Sequence, residues 1–95
     1  MVDAGLARRV GLELPAWGLE GEEIVGRWRF SDFSSALAAA VRAGTLAERV
    51  DHHPELRVGW GFLEVRLTTH AVKALSERDL DLAAAIQAAL GPPRA

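Results

Sequence analysis

Glu48-Arg49-Val50-Asp51-His52-His53-Pro54 is the stretch at which this chain changes character. Upstream, Phe33, Ala36, Leu37, Ala40, Gly44 and Ala47 recur at helical spacing behind Ser31, a natural N-cap. Downstream, Leu63, Val65 and Leu67 alternate with Glu64, Arg66 and Thr68, the period of a half-buried strand. Pro54 cannot continue a helix and restricts His53 to extended backbone. The corner is therefore where a long helix hands over to a pair of strands, Leu56 to Trp60 and Phe62 to Thr69, with Gly59 and Gly61 near their turn.

Working back from the corner, Ile24, Gly26, Trp28 and Phe30 alternate with Val25, Arg27 and Arg29, which predicts a strand over 23–30. Its expected hairpin partner is 17–19, across Glu20-Gly21-Glu22. Residues 3–10 read as a short helix that Gly11 ends. Working forward, Ser76-Glu77-Arg78-Asp79 has the form of a capping box, and Leu82, Ala83, Ile86 and Leu90 form one apolar stripe before Gly91 and Pro92-Pro93. The expected fold is α+β: a single four-stranded antiparallel sheet with helices packed on one face, order α-β-β-α-β-β-α, in one domain over 1–95.

Bulk composition excludes several classes. With 95 residues, 49% hydrophobic and 25% charged, the chain is that of an ordinary globular domain rather than a disordered one. Such a domain buries only roughly 60 to 65% of its unfolded surface, so self-association would help it. The net charge of -2 is spread along the chain, without the basic stripe that nucleic acid binding needs. No apolar run approaches a membrane span. The absence of cysteine removes thiolate chemistry and fits a reducing compartment, so a cytoplasmic location is expected.

Chemistry concentrates at the same corner. The chain has three histidines, all within the pattern E-x3-H-H-P-x5-W-x9-H-x8-D that runs from Glu48 to Asp79. Imidazole is the side chain that ordinarily titrates near neutrality, so His52, His53 and His70 are candidates for proton transfer. Glu48, four residues before His52, can stack on the same helix face and orient it, while the helix C-terminus favours positive charge there. On a straight extended segment His52 and His53 point to opposite sides, so different tasks are expected of them. Asp79 at the third helical position suits capping as well as it suits orienting an imidazole. Trp60 reads equally as core. Adjacent histidines rarely converge on one tetrahedral ion, and no acidic or cysteine ligand has a zinc-type spacing, so no metal is expected.

Taken with Phe30-Ser31-Asp32-Phe33-Ser34-Ser35-Ala36, Ala47 to Glu55, Thr68-Thr69-His70 and Leu75 to Asp79, the pattern resembles the pterin-4a-carbinolamine dehydratases over about Trp17 to Leu90. The resemblance implies a hydro-lyase that dehydrates a 4a-hydroxytetrahydropterin to quinonoid dihydropterin, recycling the pterin for aromatic amino acid hydroxylases, with no metal or redox cofactor. It implies that His52 and His70 act as acid and base, that His53 holds the pterin, and that Glu48 and Asp79 orient imidazoles. Asp51, Pro54, Thr68, Thr69 and Ala71 would line the ring. It further implies a homodimer or homotetramer. Members of the family also serve as transcriptional coactivators or assembly chaperones, so a non-catalytic scaffold is the alternative. The loop Ala71-Val72-Lys73-Ala74 and Leu56 depart from the family, where an acidic residue with glycines and an aromatic often stand.

Overall fold

The computed structural model of the chain describes residues 2–94. Its elements are α1 (Ala4–Glu13), β1 (Gly18–Glu20), β2 (Glu23–Arg29), α2 (Phe33–Arg49), β3 (Glu55–Gly59), β4 (Phe62–Leu67) and α3 (Glu77–Leu90). The strands make one antiparallel sheet in the order β1-β2-β4-β3, which agrees with the expected α+β architecture. The register places Ile24 opposite Leu67, Gly26 opposite Val65 and Trp28 opposite Leu63. These residues form the apolar face of the sheet, against which the helices close a core that includes Val10, Leu14, Ala43, Leu80 and Ile86. The other face carries Arg27, Glu64 and Arg66.

Several local expectations are corrected. α1 runs on through Gly11 to Glu13, because one further turn carries Leu14 to full burial and allows Arg9 to bridge Glu13. Pro15 then stops it. The 17–19 strand lies one residue later, since Trp17 turns into the core, 5.3 Å from Trp28 in an edge-to-face pair, with its Nε1 donating to Gln87 Oε1. Asp32, not Ser31, caps α2, its Oδ1 accepting from Ser35 N at 2.7 Å. The buried stripe of α2 is Ala36, Ala39, Ala40, Ala43 and Ala47, whereas Phe33 and Leu37 are 45% and 44% exposed. Alanine wins that face because a helix lying close over a sheet has no room for larger side chains. Trp60 is 73% exposed at the β3–β4 turn rather than in the core. β4 ends at Leu67, and Thr68 and Thr69 lead out of it.

Gly26 shows how tight the sheet face is. A Cβ there would lie 2.8 Å from Trp17 Cε3 and Cζ3 and 2.9 Å from Trp28 Cη2, closer than carbon atoms pack. Gly26→Ala should therefore cost about 2–3 kcal/mol by overpacking. Urea denaturation would measure it, and an unchanged midpoint would mean that the indole pair yields freely.

Candidate functional site

The two neighbouring histidines are separated by the way α2 ends. Val50 is its C-cap, Asp51 takes the left-handed conformation at φ 51°, His52 N donates to Ala47 O and Asp51 N donates to Glu48 O. This is a Schellman closure with an aspartate where glycine is usual. Arg78 braces it by donating to the carbonyls of Val50 and Asp51 at 3.3 and 3.0 Å. The resulting corner points His52 inward and leaves His53 exposed.

His52 is 8% exposed, and its Nε2 lies 2.5 Å from Oδ1 of Asp79, which is fully buried. The second carboxylate oxygen accepts from Thr69 Oγ1 at 2.8 Å and from Ser76 N at 2.9 Å. Thr69 Oγ1 also meets Ser76 Oγ at 2.6 Å. Asp79 thus caps α3 and holds an imidazole at once. A carboxylate only accepts hydrogen bonds, so the proton between the two groups belongs to His52 Nε2 and Nδ1 is the nitrogen left to exchange one.

His53 and His70 come together elsewhere, around a hollow of about 190 Å³ lined also by Glu23, Glu55, Arg66 and Thr68. His53 Nε2 donates to Glu48 Oε1 at 2.8 Å, and its Nδ1 lies 4.0 Å from the exposed Asp51 carboxylate. Thr68 Oγ1 donates to Glu22 O. His70 stands on a turn closed by the Thr69–Ala74 bridge and by Lys73 N donating to His70 O, so the unusual Ala71–Ala74 loop is compact. Arg66 forms part of the wall. Its Nε, Nη1 and Nη2 meet Glu64, Glu23 and Glu20 at 2.7, 3.0 and 3.1 Å. These bonds raise the Arg66 pKa, while the guanidinium of Arg66, followed by that of Arg27, holds the Glu64 carboxyl below its usual range.

The expected site residues therefore divide. His53, His70 and Thr68 share the hollow. His52 instead lines a second hollow, of about 340 Å³, beside Leu46, Val50 and Leu82. Glu48 orients His53 rather than His52, because the Schellman turn rotates the corner by more than helical stacking assumes. Thr69 supports Asp79 from below the hollow, and Asp51, Pro54 and Ala71 do not line it. Glu23, Glu55 and Arg66 escaped notice, although parity along β4 already sets Arg66 and Thr68 on one face. Among the described residues, no three His, Asp or Glu side chains are grouped to hold a metal ion, and no helix is long and apolar enough to cross a membrane.

A family model described as pterin 4 alpha carbinolamine dehydratase matches residues 2–89. The chain belongs to that family. A relative from Natronomonas pharaonis, named "Putative pterin-4-alpha-carbinolamine dehydratase", is 44% identical over 72 residues, which are 75% of this chain and 78% of that one. Among solved structures, a transcriptional coactivator/pterin dehydratase from Brucella melitensis superposes with a TM-score of 0.85 at 28% identity, covering 95% of this chain and 98% of that one. A pterin dehydratase-like protein identified as a RuBisCO assembly factor in the alpha-carboxysome shares the fold, with a TM-score of 0.64 at 18% identity over 80% of this chain and 88% of that one.

Proposed function

We propose that the chain is a hydro-lyase that dehydrates a 4a-hydroxytetrahydropterin to the quinonoid dihydropterin in the hollow shared by His53 and His70. The reaction breaks the C4a–O bond and forms the C4a=N5 double bond. The departing hydroxyl takes up one proton and leaves as water, and N5 gives up one proton, so the step is balanced with no oxidant, reductant or metal. Two imidazoles of opposite protonation suffice, and general acid–base catalysis of this kind contributes about 10²–10⁴-fold. The convergence of His53 and His70 from separate elements on one hollow carries this reading.

The supporting residues fit the same chemistry. Glu48 fixes the ring of His53 through Nε2, leaving Nδ1 for the substrate. His52 completes the set from the buried side of the corner. Asp79 fixes its Nε2 proton, so any proton it exchanges passes through Nδ1. The assay is direct: the chain should accelerate loss of the 4a-hydroxyl over the spontaneous rate. No acceleration would leave the scaffold reading, with which the transcriptional coactivator/pterin dehydratase from Brucella melitensis is in keeping.

Self-association belongs to the proposal. Phe33, Leu37 and Val41 lie one turn apart on α2, are 45%, 44% and 62% exposed, and face away from the sheet. An apolar stripe of this length is suited to a second copy of the same helix. At micromolar concentration light scattering should give at least twice the 10.2 kDa chain mass, and a monomeric mass would refute it.

A further inference from the structure

At the end of the sheet remote from His70, β2 outruns its short partner. β1 reaches only to Gly18, opposite Val25, and past that point the segment after α3 lies along β2 instead. Trp28 Nε1 donates to Gly91 O at 3.0 Å, Pro93 is buried, and Arg94 N donates to Arg27 O at 2.6 Å. Arg94 is thereby pinned at the rim. On the neighbouring strand the register sets Phe62 directly opposite Arg29, so a ring and a cation share one place on the sheet. The Phe62 ring lies over Gly59, where an added Cβ would collide with its Cε1 and Cζ, and it remains 43% exposed. Together these residues line a hollow of about 260 Å³, with the buried Trp28 and Leu63 also in its lining.

The charges of this hollow do not cancel. Arg27 is committed to Glu64 and Glu20 at 2.7 and 3.1 Å. Glu64, the acid in the wall, has both oxygens engaged, Oε2 by Arg27 and Oε1 by Arg66. Arg29 and Arg94 are exposed and meet no carboxylate among the described residues, whereas Arg9, Arg27, Arg57 and Arg66 each do. Two guanidinium groups left uncompensated beside an open ring suit a dianion with a flat apolar body, since the planar fork of arginine matches phosphate oxygens and an aromatic face offers a stacking surface. We infer that this hollow binds a small aromatic phosphate monoester, with the phosphate between Arg29 and Arg94 and the aromatic group against Phe62. The site is separate from the hollow of His53 and His70 and does not depend on the reaction proposed there.

Calorimetric titration with phenyl phosphate tests this. At low ionic strength the chain should bind it with a Kd of about 1 mM or below, and added salt should weaken the binding. Arg29→Gln and Arg94→Gln should each weaken it about tenfold, the loss expected for a charge-assisted hydrogen bond, at an unchanged melting temperature. Phe62→Ala should weaken phenyl phosphate about threefold and leave the weaker binding of inorganic phosphate as it was. The His53→Ala/His70→Ala variant should bind phenyl phosphate as wild type does. No saturable binding at about 10 mM would overturn the inference. So would binding that survives the Arg29→Gln/Arg94→Gln double change, inorganic phosphate bound as tightly as phenyl phosphate, or binding lost with His53 and His70, which would place the anion in the other hollow.

Discussion

Replacing Asp79 with alanine should lower the melting temperature by about 12 °C or more, on a loss of about 3–5 kcal/mol for a buried charged partner and about 4–8 °C per kcal/mol in a chain of this size. The reason is the convergence on one fully buried carboxylate of His52 Nε2, Thr69 Oγ1 and Ser76 N. Alanine leaves all three donors short of an acceptor in a dry setting, where each unmade bond keeps its desolvation cost. It also releases the start of α3 from its cap and the corner after α2 from its anchor, so two elements loosen together. Asp79→Asn should lie between, because the amide oxygen can keep the bonds from Thr69 and Ser76 but the NH2 group turned to His52 demands the opposite tautomer. Dehydration should fall in both variants, and in Asp79→Asn more than its stability loss explains. A melting temperature for Asp79→Ala within about 3 °C of wild type would mean that the cluster is held by its surroundings and that the carboxylate contributes little.

Much of this arrangement was legible in the residues. Parity along Leu63, Val65 and Leu67 fixed which face of β4 is buried, and the Ser76–Asp79 spacing announced the start of α3. Pro54 marked the end of the long helix to within a few residues. The misreadings have physical causes. Hydrophobic spacing on α2 favoured Phe33 and Leu37 over Ala39 and Ala43, since periodicity weighs large apolar side chains, whereas close approach to a sheet selects small ones. An aspartate in a left-handed turn carries no strong sequence signal, and that turn at Asp51 decides which histidine Glu48 meets. The carboxylates around Arg66 come from β1, β2 and β4, so their meeting depends on cross-strand register, which sequence spacing does not contain.

The second large effect concerns catalysis without stability. His53 has a side chain 56% exposed and His70 is exposed, so trimming both to alanine opens no core cavity and should shift stability by only about 0.5 kcal/mol. Theirs are the proton transfers proposed within the hollow, so the same double change should remove about 10²–10⁴-fold of the rate. His53→Ala should also weaken pterin binding, since its imidazole is part of the wall of the hollow.

The most direct measurement is the rate at which purified protein removes the hydroxyl from a 4a-hydroxytetrahydropterin, compared between wild type and the folded His53→Ala/His70→Ala variant. The expected result is a clear acceleration by wild type and a return to near the spontaneous rate in the double variant at unchanged melting temperature. Equal rates for the two proteins would contradict the assignment of water removal to this hollow.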